Sequence, residues 1–490
     1  MSTRHLPADT LWFNGIDGDT GGYLVPPQSL SRIAAIARDR QVPDQASIPE
    51  KVAHLRATAH KLLKSHYGLP LGCRPEVVSE AGWAVVFHAD EDPAVRRALQ
   101  PLIEHRRQQV GAERCRVLEY REGESWSQWL ARHEVAAGAV EPERVPLYLM
   151  VVGSPARVPF DFTQQLDIEY AVGRLHFDGP AEYASYVSSV LGYETASAAP
   201  ARKEVVFFGT RHDFDRATQL SADLLVEPLA DGLPAEGSRP ATRGVAERWK
   251  FRAQKLLGEA ATKQALSAVL TRPAGELPAL LFTATHGMGW RAGDPKQAQE
   301  QGALVCQDWP GLGSIRADHY FSAADVPAAA QLRGLIAFLF ACFGAGTPSH
   351  DRFLHEPGQQ PARIADPPFL AALPKRLLSN PGGGALVCIG HVERAWGVSI
   401  AAPGTRPQLL PFENAIGRIL LGQPVGCALK DFNEKFATLS SDLCGILEKI
   451  RCGLRVPDEE LAELWTSRND AEGYALIGDP AIQLRVADLR

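Results

Sequence analysis

Apolar runs that alternate with amphipathic helical patterns constrain the fold of this chain more than any other feature. The first series starts near Gly82 and reads, in order, as the strand GWAVVFH, the helix DPAVRRALQPLIEHRRQQV, the strand CRVLEY, the helix SWSQWLARHEV and the strand LYLMVVG. Strands that alternate with helices usually pair in parallel, with the helices over the faces of the sheet. The sequence therefore predicts an α/β fold of mainly parallel strands flanked by helices.

A second series of the same kind begins at EVVFFG, residues 204–209. It continues with the helix pattern RATQLSADLLVEPLA and the strand patterns ALLFTATHG, LIAFLFAC and GALVCIGHV. The short stretch ASAAPARKE separates the two series, and 490 residues exceed what one ordinary core holds. We expect an N-terminal extension of unknown role over residues 1–79, a first α/β lobe over 80–202 and a second lobe over 203–490.

Composition excludes several classes of protein. With 45% hydrophobic and 22% charged residues the chain is typical of a globular protein, and a net charge of -6 argues against a general nucleic-acid binder. No run approaches the roughly 18 apolar residues of a membrane span, and the first residues show no signal-peptide pattern, so we expect a cytoplasmic protein without membrane contact. The eight cysteines form no paired CxxC spacing, which favours free thiols.

Cofactor and metal sites have no support in the sequence. Residues 13–27 (FNGIDGDTGGYLVPP) predict an irregular loop, and its DGD lacks the later bidentate acid of a calcium site. His350 and His355, with Asp351 between them, lie in a loop that offers no fixed metal geometry. The run PGGGALVCIG precedes a strand rather than joining a strand to a helix, which argues against nucleotide binding. We expect no cofactor and no metal.

Two strand ends carry the residues with the clearest chemical potential. Cys342 follows the apolar run in IAFLFACFGAGTP, and His286 follows a similar run in ALLFTATHGMGW, 56 positions earlier. If these strands are neighbours in a parallel sheet, thiol and imidazole meet at its carboxyl edge, where ligands bind. The histidine could then deprotonate the thiol, and the N–H groups of Gly287 and Cys342 could hold an oxyanion. Either residue alone is as compatible with a structural role; the pair favours catalysis.

These motifs also resemble a known family. ACFGAG resembles the QAC-x-G element of caspases, and THG, ACFGAGTP, GHVERAWG and YALIGDPAIQL together resemble the gingipain-like and CHAT-like branch of caspase-fold cysteine peptidases. Residues 149–175 look like the gingipain-type first lobe, which lacks the dyad. The resemblance covers about residues 145–485. It implies a caspase-like sandwich with two α/β lobes, the first without catalytic residues, and peptide hydrolysis with Cys342 as nucleophile and His286 as acid/base.

The same resemblance suggests pocket residues. Trp396 falls where these peptidases place an aromatic wall, although a core tryptophan is an equal reading. The loop GTRHDFDRATQ corresponds to one that floors the pocket, where Arg211 would favour an acidic P1 residue and Asp213 or Asp215 a basic one. Asp351, in the loop after the cysteine, is a further acid. Because the acids outnumber the arginine, we expect a basic P1 residue, with simple solvation of these charges as the alternative.

Two long loops interrupt the second series, Ala230–Arg248 and Gly346–Pro368. The first carries Arg239, Arg243 and Arg248, which suggests a processing site, or else an ordinary surface excursion. We therefore expect a cysteine endopeptidase acting on a protein or peptide substrate, latent until cleavage or a regulatory partner activates it. The resemblance adds a role in bacterial stress or defence. An inactive caspase-like scaffold or binding module is the alternative.

Overall fold

The computed structural model describes residues 10–39, 66–235, 240–311, 313–354, 359–395, 400 and 408–490. Its centre is a ten-stranded sheet whose strands we number in chain order: β1 Trp83–His88, β2 Cys115–Tyr120, β3 Tyr148–Val152, β4 Ala171–Leu175, β5 Arg202–Gly209, β6 Arg252–Leu257, β7 Pro278–Ala284, β8 Ile336–Phe340, β9 Val387–His391 and β10 Tyr474–Gly478. The order across the sheet is β2-β1-β3-β4-β10-β9-β8-β7-β5-β6. The predicted α/β fold with a mainly parallel sheet is confirmed.

The closing strand β10 joins the two predicted series into one sheet. It pairs in parallel with β4 and antiparallel with β9, where Ile389 lies opposite Leu476. All other neighbouring strands of this sheet are parallel. The two halves of the sheet therefore run in opposite directions, and the carboxyl ends of β5, β7, β8 and β9 share one edge.

Helices cover the sheet. Within the described parts of the chain, those of seven or more residues are Leu30–Asp39, Pro93–Val110, Trp126–Arg132, Phe160–Leu166, Pro180–Glu194, Lys263–Leu270, Ala372–Leu378, Leu410–Leu420, Lys430–Arg451 and Asp458–Gly473. A further helical stretch begins at Arg216 and continues through a π-helical turn to Asp231. The start of Pro93–Val110 shows how the sequence sets these bounds: proline occupies the first turn, and the Asp92 carboxylate accepts from the Ala94 N–H at 2.7 Å.

The central strands are apolar along their whole length because both of their faces are covered. Every residue of β3, β7 and β8 is buried, which accounts for the uninterrupted apolar runs in the sequence. Phe338 of β8 contacts Phe412 and Phe432, and the Phe432 ring stacks on Tyr474 with centroids 4.1 Å apart. The ends of β7 and β8 thus lie on a well-packed aromatic cluster.

The N-terminal segment, defined as residues 10–29, crosses this same edge. Thr10–Leu11 pairs with Gln28–Ser29, and Ile16–Asp17 pairs in parallel with Met288–Gly289 just beyond β7. Ile16 also bridges Tyr23, so the stretch that the sequence predicted as an irregular loop contains a hairpin. The prediction of an irregular loop was wrong because residues rich in glycine and acids show no strand pattern, and the strand Ile16–Asp17 pairs with Met288–Gly289, which is remote in sequence.

The two predicted long loops contain short helices and strands among their described residues. Helices Glu227–Asp231 and Val245–Arg248 lie at either end of the first, and Arg248 forms an ion pair with Glu413 at 2.5 Å. In the second, Gly346–Thr347 pairs with Phe369–Leu370.

Two predicted residues of these loops, Arg239 and His355, lie outside the described part of the chain. Among the described residues we found neither a helix with the length and apolarity that a bilayer crossing requires nor a group of three metal-ligating side chains.

Candidate active site

Strands β7 and β8 are neighbours, as predicted, and bring His286 and Cys342 to one edge. Ala284 lies opposite Phe340 at the end of the ladder, so each of the two residues follows two positions later. The loops touch closely: a Cβ on Gly287 would lie 1.9 Å from the carbonyl oxygen of Cys342. Only glycine allows the loop after the histidine to approach the cysteine so closely.

Asp215 is hydrogen-bonded to the His286 ring. Its Oδ2 lies 2.6 Å from His286 Nε2, and both side chains are buried. Strand β5 is paired with β7, and the hydroxyls of Thr210 and Thr285 meet at 2.7 Å just past the strand ends. Asp215 then begins the helix Arg216–Ser221. The aspartate therefore reaches the imidazole because it follows the next strand of the sheet.

The Asp215 carboxylate is held in its ionised form. It caps the helix by accepting from the N–H groups of Ala217 and Thr218. Burial by itself would raise the pKa of Asp215, but the neighbouring His286 ring and hydrogen bonds from Tyr23 and Thr218 hold it well below its usual range. A fixed carboxylate beside the ring is the arrangement that orients a catalytic histidine.

The thiol of Cys342 is protonated in this state. Sγ donates to the carbonyl oxygen of Asn14 at 2.7 Å and accepts from the Ala395 N–H at 3.3 Å. Burial raises the pKa of Cys342 to about 12. The side chain is completely shielded from solvent. A proton acceptor and partial exposure are therefore needed before this thiol can act as a nucleophile.

Backbone strain surrounds the cysteine. Phe343 and Glu393, which follow the ends of β8 and β9, have φ angles of 58° and 73°. Such angles are uncommon for residues other than glycine and concentrate at functional sites. The Phe343 N–H donates to the Glu393 carbonyl at 2.5 Å, so the two strained residues hold each other. This contact fixes the loops that place Cys342 and Ala395 side by side.

The N-terminal segment occupies the space above these residues. The Gly15 N–H donates to His286 Nδ1 at 2.8 Å, and the Ile16 N–H donates to the Gly287 carbonyl at 3.1 Å. Because Nδ1 accepts this bond, the ring donates to Asp215 from Nε2. The Tyr23 hydroxyl donates to the other oxygen of Asp215. Burial, together with the Asp215 charge, raises the pKa of Tyr23.

The predicted pocket residues have other partners. Arg211 pairs with Asp213 at 3.1 Å and with Asp223 at 2.8 Å, and the Asp213 side chain is 96% exposed. Asp351 pairs with Arg394 at 2.9 Å.

The Asp351 carboxylate also accepts hydrogen bonds from the N–H groups of Phe353 and Leu354. Trp396 lies outside the described residues. The structure thus brings together His286, Gly287 and Cys342, while the charged candidates are engaged in ion pairs of their own.

Several residues at the site were missed or misread from the sequence. Asp215 was interpreted as a pocket acid, although its place before a helix, beyond the strand next to β7, could have suggested a partner for the histidine. His212 was not singled out. It packs on Trp309 with ring centroids 5.1 Å apart, and burial together with the nearby His286 lowers its pKa to about 4. Asn14 and Gly15 carried no local signal of any kind.

Comparisons with known proteins give structural neighbours and no sequence relatives. No family model matches the chain, and no curated protein matches it. A solved structure described only as a protease is 11% identical, with a TM-score of 0.46 over 82% of this chain and 78% of that one. The Arg-specific cysteine proteinase gingipain R is 10% identical, with a TM-score of 0.41 over 83% and 79%.

A more distant neighbour is the separase–securin complex of Saccharomyces cerevisiae, with 10% identity and a TM-score of 0.28. That match covers 72% of this chain and 18% of the other. Similarity this low says nothing about activity. The function of the chain rests on the geometry of its own site.

Proposed function

We propose that this chain is a cysteine endopeptidase in which Cys342 is the nucleophile, His286 the acid/base and Asp215 the residue that orients the histidine. One observation carries the proposal. Thiol and imidazole contact the two sides of a single peptide unit, the thiol at the carbonyl of Asn14 and the ring at the N–H of Gly15. A nucleophile at the carbonyl and an acid at the leaving nitrogen are the two groups that peptide hydrolysis requires.

The proposed reaction uses one nitrogen of the histidine. His286 Nδ1 takes the proton of the Cys342 thiol, and the thiolate adds to the substrate carbonyl carbon. The N–H groups of Gly287 and Cys342 stabilise the oxyanion. Nδ1 then returns the proton to the leaving amine, which gives a thioester that water hydrolyses with the same nitrogen as base. Asp215 stabilises the imidazolium that forms between these steps.

Latency belongs to the same proposal, because the N-terminal segment fills the cleft and the thiol beneath it is protonated. A basic P1 residue has weaker support, since Asp215 serves the histidine and Asp351 pairs with Arg394. Processing within residues 230–248, an activating protease or regulatory partner, a cytoplasmic location and a role in bacterial defence stay predictions from the sequence.

A peptide-library assay tests the proposal. We expect Gly15→Val to open the cleft, since a Cβ at this position would lie 2.8 Å from Leu24 Cδ1 and 3.2 Å from Cys342 Sγ. We expect this variant to hydrolyse peptides, and Cys342→Ala or His286→Ala in the same background to abolish hydrolysis. Cys388→Ser is the matched control, because Cys388 is a buried thiol on the neighbouring strand β9.

A folded Gly15→Val chain that cleaves no member of the library would contradict the proposal. It would favour the inactive scaffold, for which a covered thiol is equally suitable. Circular dichroism and the unfolding midpoint establish that the variant is folded.

A further inference from the structure

The peptide bond between Asn14 and Gly15 lies between the thiol of Cys342 and the ring of His286. The Asn14 carbonyl oxygen is 2.7 Å from Cys342 Sγ, and its carbon, about 1.2 Å farther along the C=O bond, is therefore within about 4 Å of the sulfur. Reacting atoms in near-attack geometries are separated by about 3–3.5 Å, so the sulfur must first move from the carbonyl oxygen, to which it donates, toward the carbonyl carbon. The Gly15 nitrogen is 2.8 Å from His286 Nδ1, the atom that would protonate it as a leaving group.

Pairing on the downstream side of this bond resembles substrate binding. Ile16 and Gly18 donate their N–H groups to the carbonyls of Gly287 and Gly289, at 3.1 Å and 2.7 Å. Extended peptides bind to exposed strands through main-chain hydrogen bonds of this kind. The Leu24 N–H returns to the Gly15 carbonyl at 3.0 Å and closes the hairpin. The residues that follow the Asn14–Gly15 bond are thus held both by the loop after β7 and by the second arm of the hairpin.

Glycine is required on the leaving side of the bond. Gly15 has a φ of +116°, and an added Cβ would collide with Leu24 and press on the Cys342 sulfur. On the other side, the Asn14 residue is only 2% exposed. The segment therefore presents a buried asparagine before the bond and a glycine after it.

We propose that the chain is its own substrate and cleaves itself between Asn14 and Gly15. The inference rests on the proposed function, and it adds the bond, an asparagine at P1 and a glycine after it. Cleavage is intramolecular, because the bond already lies in the cleft of the chain that carries it.

The reaction balances without any co-reactant except water. The Cys342 sulfur forms a bond to the Asn14 carbonyl carbon while its proton passes to His286 Nδ1. The carbon–nitrogen bond breaks, and that proton goes to the Gly15 nitrogen, which becomes a free amine. Water then hydrolyses the thioester, leaving a carboxylate on Asn14 and restoring the thiol.

The two products stay together after cleavage. Thr10–Leu11 remains paired with Gln28–Ser29, and the Phe13 ring packs on Phe353 with centroids 6.0 Å apart. The cut chain is therefore nicked under native conditions, and the break becomes visible only when the protein is denatured.

Denaturing mass spectrometry and N-terminal sequencing of the freshly purified chain test the inference. We expect the wild type to convert, at a rate independent of protein concentration, into a fragment of residues 1–14 and a chain that begins at Gly15. Cys342→Ala and His286→Ala should stay intact, also when Cys342→Ala is mixed with the wild type. Cleavage of Cys342→Ala between Asn14 and Gly15, either alone or in the mixture with the wild type, would overturn intramolecular self-cleavage.

The failure of this inference can be told from that of the proposed function. If the wild type stays intact while Gly15→Val hydrolyses peptides, self-cleavage is wrong and the peptidase stands. If the wild type stays intact and folded Gly15→Val is inactive, both are wrong.

Two variants within the segment sharpen the assignment of the bond. Gly22→Ala is the matched control, because its Cβ would meet nothing nearer than the Thr20 hydroxyl at 3.5 Å, and it should cut itself at the wild-type rate. Asn14→Arg should cut itself at least tenfold more slowly, because the enclosed position holds a shorter side chain. Faster cutting of Asn14→Arg would overturn asparagine as the P1 residue.

Discussion

Replacing Asp215 by asparagine removes one charge beside His286 while leaving the side chain almost unchanged in size. Asparagine also caps helices as well as aspartate does, so the helix Arg216–Ser221 should keep its start. Asp215→Ala removes both the charge and the cap. The comparison of the two variants therefore separates the effect of the carboxylate on the histidine from its effect on the fold.

The expected loss of activity follows from the contact that is removed. A hydrogen bond to a charged group contributes about 1.5–3 kcal/mol, and the bond between Asp215 and His286 is buried and 2.6 Å long. At about 1.36 kcal/mol per tenfold change in rate, this corresponds to a loss of about 10- to 150-fold in kcat/KM. Asp215→Ala should lose at least as much activity and in addition about 1 kcal/mol of stability with the helix cap.

The assay is hydrolysis of a fluorogenic peptide by each variant in the Gly15→Val background, where we expect the N-terminal segment to leave the cleft. This background matters because Tyr23 of the segment also donates to Asp215. The unfolding midpoint of Asp215→Asn should stay close to that of its parent. Activity within twofold of the parent would refute an orienting role for the carboxylate.

Two further predictions concern titrating groups. The first uses the His286→Ala background, which should not cut itself. There, Gly15→Val should speed alkylation of Cys342 at pH 7.5 on the order of 10²- to 10³-fold, because exposure returns the thiol pKa from about 12 toward its ordinary value. The control Gly22→Ala should leave the alkylation rate unchanged. Burial raises the pKa of Asp167 to about 7, so its ionisation opposes folding increasingly as the pH rises from about 4 to 7. Asp167→Asn should therefore gain up to about 4 kcal/mol relative to the wild type between pH 4 and pH 8 in chemical unfolding, and a pH-independent difference would contradict this assignment.

The sequence was sufficient to place His286 and Cys342 at one edge because both residues follow fully buried strands. Apolar runs that end in glycine mark β7 and β8, and the edge where His286 and Cys342 meet follows from parallel pairing. The strand Arg252–Leu257 could not be found in this way. It lies at the edge of the sheet, where its RAQKLL sequence is largely exposed and carries no apolar alternation.

The covered state of the site could not be predicted, because it depends on contacts that are remote in sequence. Gly15 meets His286 across 271 positions, and Asn14 meets Cys342 across 328. A short strand within residues rich in glycine and acids has no pattern that points to such partners. The pKa of Cys342 depends on the same packing, since the segment helps to exclude water from the thiol.

Mapping the residue labelled by a peptidyl acyloxymethyl ketone tests the central claim most directly. Such a probe captures a thiolate that a neighbouring histidine activates, and the chain has free cysteines in exposed positions, including Cys444 and Cys452, as internal references. In folded Gly15→Val protein we predict one adduct, on Cys342, which disappears when His286→Ala is added. An adduct on another cysteine, or labelling of Cys342 that persists undiminished without the histidine, would contradict the account.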